Sequence, residues 1–403
     1  MPDKQTAYKK AIIKHLYFNQ ELSCSDLSEL TDRSLPVTAR VLNELIEEGS
    51  VIETGYANST GGRRPQMYSL KADLMYVVSV SMDQMITRIV MLDMNNNYVG
   101  ETRKYELRLA NNPDSLNQLT QHIDEYISNC GFPKEKIAGI GIGMPGFVDV
   151  KKGINHSFLR TKPKASIVST IESIIGLPVL IDNDSSLIAL SELRFGAARN
   201  RRNAMVVNVG WGIGLGVIIN GELFRGHNGF AGEFSHISLF TNNKMCSCGK
   251  LGCLETETSL LVIAEKAIQG LQQGKLSVLK ELSLEHIEAT SEAIMSAAAQ
   301  GDKFAIELLS EAAYNIGRGV AILIHILNPE LIILSGRGSA AGKFWLTPIQ
   351  QAINVHCIPK IAEDTRVEVS SLGYQAELVG AAALVMEHFD TKEIRQDRIM
   401  AIA

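Results

Sequence analysis

The sequence predicts an α/β protein that carries a small, mainly helical winged helix-turn-helix domain at its N-terminal end. Three observations predict it. Over the first fifty positions apolar residues recur at helical spacing, and two short strand-like runs follow. From Met75 onward the texture changes, and strand-like runs alternate with helical stretches. Glycines then gather where those strands end, at 141–146, 210–216 and 336–338, in loops whose backbone amides can approach a ligand closely.

The winged segment is read element by element. Ala11, Ile12, Leu16 and Tyr17 mark one face of a first helix. Ser25 is expected to cap a second helix running to Leu30, with Leu27 and Leu30 facing inward. After a turn at 31–33, Ser34 can cap a third helix. Pro36 is tolerated in its first turn, and Gly49 ends it. Leu35, Ala39, Leu42, Leu45 and Ile46 are read as its buried stripe, with Thr38, Arg40 and Asn43 pointing elsewhere. Strands are expected at 51–54 and 66–70, joined by a wing of Gly61, Gly62, Arg63, Arg64 and Pro65. This pattern suits double-stranded DNA, with Ser34, Thr38 and Arg40 at the major groove and Arg63 and Arg64 at the backbone or minor groove. The alternative is a three-helix protein-interaction module with the wing arginines as a solvated tip.

In the body, strands are expected at 76–80, 86–92, 137–142, 179–181, 204–209, 215–219 and 331–334. Helices are expected at 115–129, 166–175, 185–195, 260–269 and 304–327, which together indicate a mixed sheet.

Bulk properties bound the function. At 403 residues the chain should hold two or three domains, at roughly 150 residues each. The composition, 45% hydrophobic and 21% charged, is that of a soluble globular protein. A net charge of −5 excludes indiscriminate nucleic-acid binding, so any DNA contact must use a local basic surface. No apolar stretch approaches the roughly 18 residues of a membrane span, so no membrane partner is expected and the cytoplasm is the expected location.

Of the six cysteines, Cys24, Cys130 and Cys357 are isolated, whereas Cys246, Cys248 and Cys253 crowd together. In a chain without a secretion signal, such a cluster more often binds metal than forms disulfides. With His236 they make a Cys₃His set that suits tetrahedral Zn²⁺, and four protein ligands imply a structural role. Gly249 and Gly252 relieve the tight winding of the loop. A reduced, metal-free loop is the alternative.

The run Ala231-Gly232-Glu233-Phe234-Ser235-His236, followed by Cys246-Ser247-Cys248-Gly249-Lys250-Leu251-Gly252-Cys253-Leu254-Glu255, resembles the signature of the ROK family of repressors and sugar kinases. Supporting motifs fall in the family's order: Gly141 to Gly146, Asp182-Asn183-Asp184, Gly210 to Gly214, Leu327 to Glu330 and Val379 to Ala382. The winged N-terminal segment places the chain with the repressor branch. The resemblance implies a two-lobed, actin-like ATPase fold. It divides the chain into 1–70 as DNA-binding domain, 71–190 as first lobe joined by a C-terminal helix at 377–390, and 191–376 as second lobe with the zinc loop. It implies the same four zinc ligands and sugar contacts from Gly146, Asn183, Asp184, Glu233, His236 and Glu255. In the kinases the equivalent of Asp184 is the general base; here Asp184 is read as its remnant, with no catalytic residue assigned.

Several positions depart from the family pattern. Ser235 replaces a glycine, and Ser157-Phe158-Leu159 stands where kinases carry a small polar sugar contact. The first phosphate loop, Asp-x-Gly-Gly-Thr in the family, becomes Ser81-Met82-Asp83-Gln84-Met85, and Trp211 replaces the threonine of the second. A kinase cradles nucleotide phosphates in such glycine turns. The expectation is therefore a regulator rather than an enzyme, probing operator DNA as a homodimer or homotetramer and answering to a sugar or sugar phosphate. An active hexose or N-acylhexosamine kinase with a DNA-binding head is the alternative, and so is control by a regulatory protein partner.

Overall fold

The computed structural model describes residues 4–58, 64–159, 161 and 165–391. The chain divides into two compact units: Met1–Asn183 together with Ala381–Ala403, and Asp184–Gly380. Among the described residues no helix is long and apolar enough to cross a membrane.

The first unit opens with α1 (Lys4–Asn19), β1 (Leu22–Ser23), α2 (Cys24–Leu30), α3 (Leu35–Glu47), β2 (Val51–Tyr56) and β3 (Gln66–Leu70). The strands form an antiparallel sheet in the order β1-β3-β2. Ile12, Leu16 and Tyr17 of α1, Leu27 of α2, and Val41, Leu42 and Leu45 of α3 make its core, none more than 1% exposed. Each such side chain contributes about 1.5–3 kcal/mol on burial, which helices this short need in order to persist.

Two sequence expectations shift here. Ser23, not Ser25, caps α2: its Oγ accepts from the Asp26 amide at 3.2 Å, and the Asp26 carboxylate accepts from the Ser23 amide at 2.9 Å. The reciprocal bond decides it, because a cap at Ser25 would have Ser28 at the reciprocating position and no carboxylate there. Leu30 is accordingly 48% exposed rather than inward.

The buried stripe of α3 is Thr38, Val41, Leu42 and Leu45, whereas Leu35 is 53% exposed and Ala39 is also exposed. Thr38 can be buried because its hydroxyl is 2.7 Å from the Tyr8 hydroxyl and donates to the Ser34 carbonyl at 3.1 Å. Leu42 and Leu45 face inward as expected, but the inward face is rotated toward Thr38 and Val41 and away from Leu35 and Ala39.

The same unit continues with β4 (Tyr76–Met82), β5 (Ile86–Leu92), β6 (Tyr98–Glu106), α4 (Ser115–Asn129), β7 (Ile137–Met144), the small hairpin β8 (Val148–Asp149) and β9 (Ile154–Asn155), α5 (Ile167–Ile175) and β10 (Val179–Asn183). The sheet order is β10-β7-β4-β5-β6, with β4, β7 and β10 parallel and β4-β5-β6 an antiparallel meander. Val78, Val80, Ile89, Ile140 and Ile142 share a core with Leu119 and Ile123 of α4 and Ile171 of α5.

The second unit contains α6 (Asp184–Phe195), β11 (Ala204–Val209), β12 (Ile213–Ile219), β13 (Glu222–Leu223), α7 (Glu255–Thr258), α8 (Leu260–Gln272), α9 (Ile287–Ala299), α10 (Lys303–Leu327), β14 (Leu331–Ser335), α11 (Lys343–His356), α12 (Pro359–Ala362) and β15 (Arg366–Val369). Its sheet runs β13-β12-β11-β14-β15, with β11, β14 and β15 parallel. α10 and α11 cross closely at Gly317, where a Cβ would lie 2.7 Å from the Ala352 side chain.

The last helix, α13 in the order of the chain (Ala376–Glu387), begins in the second unit and ends in the first. Within the first unit it presses on β7: a Cβ on Gly141 would come 2.0 Å from the Ala381 carbonyl oxygen. Its end also holds α1. Lys14 Nζ donates to the Glu387 carbonyl at 2.6 Å and pairs with Asp390 at 3.0 Å, and Lys10 Nζ stands 5.3 Å from the centre of the Phe389 ring.

Candidate functional site

In the second unit, the chain beyond β13 folds into a loop that brings His236, Cys246, Cys248 and Cys253 together, with their ligand atoms all within 4.8 Å of one another. Cys248 Sγ lies 3.7 Å from Cys253 Sγ, and Cys246 Sγ lies 3.5 Å from His236 Nδ1. A tetrahedral ion with Zn–S bonds of about 2.3 Å and a Zn–N bond of about 2.0 Å needs separations of roughly 3.8 and 3.5 Å. The donor set and its spacing fit a metal ion. Burial and the neighbouring thiols push the Cys253 thiol up to about 12.

The loop is built for this convergence. Gly249 and Gly252 adopt φ of +83° and +69°, and a Cβ on Gly252 would sit 1.9 Å from the Phe240 carbonyl oxygen. A buried carboxylate, Glu257, secures the loop from below. It takes Lys244 at 2.6 Å, Lys266 at 2.8 Å and the Asn242 amide at 2.6 Å. Burial opposes its charge, but the bonds from Lys244 and Lys266 outweigh that and hold the carboxyl below its usual range. Nothing in the spacing of the motif singles Glu257 out.

Three of the expected sugar contacts border the cluster. His236 turns Nδ1 to the thiols and Nε2 to Glu233, whose carboxylate is 3.7 Å away. Glu255 opens α7, and its Oε2 accepts from the Ile213 amide at 3.4 Å, which places it against the loop 210–213. Burial, reinforced by the charge of Glu255 and opposed by His236, raises the Glu233 carboxyl above the usual carboxylate range. Asp184 begins α6 and accepts from the Ser185 amide at 2.7 Å. Gly146 and Asn183 belong to the first unit, where Asn183 Nδ2 donates to the Gly146 carbonyl at 3.2 Å. Gly146 is required there: its φ is +86°, and a Cβ would meet the Ser157 Cβ at 2.5 Å. Asn155, which the sequence gives no reason to choose, braces this loop by accepting from the Ser157 and Phe158 amides at 2.9 Å and donating to the Pro145 carbonyl.

The phosphate-loop positions are filled from within. In the first unit, Asp83 folds its carboxylate onto the Met85 and Ile86 amides at 2.8 Å, so the turn after β4 spends the donors that a phosphate would use. Ser81 accepts from Arg88 Nη2 at 2.8 Å. In the second unit, Arg337 follows β14 and is buried. Its guanidinium lies 4.5 Å from the Trp211 ring centre and 4.1 Å from that of Tyr374, and pairs with Glu288 at 2.6 Å. Such a stacked and paired guanidinium is strongly held.

On the winged segment, Ser34, Arg40 and Arg64 are exposed. Ser34 occupies the cap position of α3 but makes no capping hydrogen bond with its side chain. Thr38, expected at the DNA, is fully buried and committed to Tyr8 and Ser34. Arg63, Gly61 and Gly62 lie outside the described residues.

A winged helix-turn-helix joined to a sugar-kinase-like α/β body with a Cys₃His loop defines a class of protein known from bacterial regulators. The profile of the ROK family matches residues 80–388, and the chain belongs to that family. It is similar to a xylose repressor of Caldicellulosiruptor bescii, at 30% identity over 388 residues, 94% of this chain and 95% of the relative. It is also similar to a glucokinase of Halalkalibacterium halodurans, at 34% identity over 277 residues, 68% of this chain and 84% of the relative. Among solved structures, a ROK family transcriptional regulator, described as a homologue of the Escherichia coli Mlc protein, superposes with a TM-score of 0.78 at 24% identity, covering 99% of this chain and all of the other. The fold is therefore the actin-like ATPase fold of ROK proteins, preceded by the helical winged domain.

Proposed function

We propose that this chain is a sequence-specific DNA-binding transcriptional repressor of carbohydrate metabolism. It senses a sugar or sugar-pathway signal through a kinase-like body that no longer transfers phosphate. The observation that carries the reading is the winged N-terminal segment itself, with α3 exposed along one face, in a chain that aligns with a xylose repressor nearly from end to end. A short reader makes few base contacts, so a homodimer or homotetramer on a palindromic operator follows. Ser34, Arg40, Arg63 and Arg64 are the DNA contacts of this reading.

Gly146, Asn183, Asp184, Glu233, His236 and Glu255 are the sugar-binding set. Carboxylates, an amide and an imidazole suit the vicinal donor–acceptor pairs of a pyranose. Zn²⁺ would be held by His236 Nδ1 and the sulfurs of Cys246, Cys248 and Cys253; with four protein ligands it supplies structural closure, not an open catalytic position. Glu233 orients the other face of the imidazole, as an outer-shell carboxylate does.

Against transfer stand the Asp83 turn, which consumes its own amides, and the guanidinium stacked on Trp211. For it stand Asp184 and the likeness to a glucokinase. Two assays on the full chain separate these readings. Fluorescence anisotropy should show saturable binding to a selected operator duplex that one member of a monosaccharide and sugar-phosphate panel weakens. A coupled assay with MgATP and the same sugars should show no turnover, and robust phosphorylation would replace the repressor reading with the kinase one.

A further inference from the structure

The rotational phase of α3 decides which side chains can meet bases, and the phase differs from the one hydrophobicity suggests. With Thr38, Val41, Leu42 and Leu45 inward, the leading turns present Leu35, Val37 and Arg40 outward, Leu35 at 53% and Val37 at 38% exposure. Val37 and Arg40 are three residues apart, hence neighbours on the helix surface about 4.5 Å apart in rise.

Arg40 has a carboxylate within reach on its own helix, Glu44, four residues on. That carboxylate is taken: Lys9 pairs with it at 3.1 Å and Gln5 Nε2 donates to it at 2.6 Å. Among the described residues Arg40 makes no ion pair, so its guanidinium stays available to a partner.

Major-groove chemistry matches these two side chains to different base edges. An apolar side chain meets the C5-methyl of thymine, and an arginine fork donates to O6 and N7 of guanine. We propose that α3 reads its half-site through Val37 on a thymine methyl and through Arg40 on a guanine one or two base pairs away. This rests on the DNA-binding reading above and adds to it the identity of the bases.

The test begins with a randomised duplex library, from which the full-length wild-type protein selects a consensus. Each thymine of that consensus is then replaced by deoxyuridine, which removes only the methyl group. Wild-type affinity should fall about 3- to 5-fold at one thymine, as expected for one buried methyl. Val37→Ala should be insensitive to the same replacement. Arg40→Ala should lose the preference for one G·C pair, at a cost of roughly 10-fold on the consensus duplex. Both positions are exposed, so melting temperatures should match wild type and a folding defect would be visible.

If the protein selects a sequence but every deoxyuridine duplex binds as well as its parent, or Arg40→Ala selects an unchanged consensus, this assignment is wrong while DNA reading stands. If no sequence is enriched at all, the DNA-binding reading itself falls, and this one with it.

Discussion

Thr38 shows how a single hydroxyl can redirect a reading. Its bond to Tyr8 ties α3 to α1, so Thr38→Ala should destabilise the winged segment by about 1–2 kcal/mol through the lost buried hydrogen bond. Thermal unfolding checks this, and base preference should survive in the molecules that remain folded. Glu192 is the second residue of consequence. It is fully buried in the second unit, where its carboxylate accepts from Ser335 at 3.2 Å, from Ser370, and from the Ala197 amide at 3.0 Å. Burial raises its carboxyl above the ordinary value in spite of those bonds. The folded state therefore holds this proton more tightly than the unfolded chain, and stability is lost as pH rises from about 4.5 through the raised value. Glu192→Gln keeps the shape and removes the charge. Denaturant titrations from pH 4.5 to 8 should show a shallower decline for the variant; parallel curves would refute the assignment. The sequence could not supply either residue, since burial of a threonine or a glutamate depends on partners remote in the chain.

At the scale of elements, the strands that were legible are those with apolar runs on both faces. β5 was expected at its observed limits, and β4 and β7 extend by two residues beyond expectation. The edge strands β6 and β15 were not foreseen, because residues such as Glu101, Lys104 and Glu368 face solvent on strands that bury little. The Cys₃His loop was legible for the opposite reason: potential ligands are carried by residue type and spacing, whatever the burial. What supports it, Glu257 with Lys244 and Lys266, was not legible. On the proposed zinc reading, Cys248→Ser should reduce bound zinc below one per chain by elemental analysis and lower the melting temperature, whereas Glu257→Gln should retain the metal but loosen the loop, seen as faster amide exchange around 242–254. In α2, Ser23→Ala should cost about 1 kcal/mol of stability, and Ser25→Ala only a few tenths, which discriminates the two caps directly.

For the whole molecule, the DNA reader and the α/β body were legible from periodicity and texture, whereas the return of the C-terminal helix came from family likeness. The helix α13 contains Ala381, Ala382 and Ala383, all fully buried, and its smooth apolar surface has no single face to signal a partner. Its seat on β7 is set by Gly141. Gly141→Ala would drive a methyl group into the Ala381 backbone, and no rotamer can relieve that contact. The variant should either unfold at markedly lower temperature or expel α13, and limited proteolysis after residue 375 would distinguish the two. Lys14→Ala is the milder counterpart. It removes the bonds to Glu387 and Asp390 while leaving the core of the winged segment intact, so operator affinity in the absence of sugar should change more than melting temperature does.

The bond from Lys14 to Glu387 spans 373 positions of sequence. During synthesis the helices that meet DNA emerge first and can close their own small core at once. This part of their anchorage waits until nearly the whole body has left the ribosome, whereas the bond from Tyr17 to Asn96 can form much earlier. A translation product broken midway would thus carry the head with its early bond to Asn96 but without the clasp from the C-terminal helix.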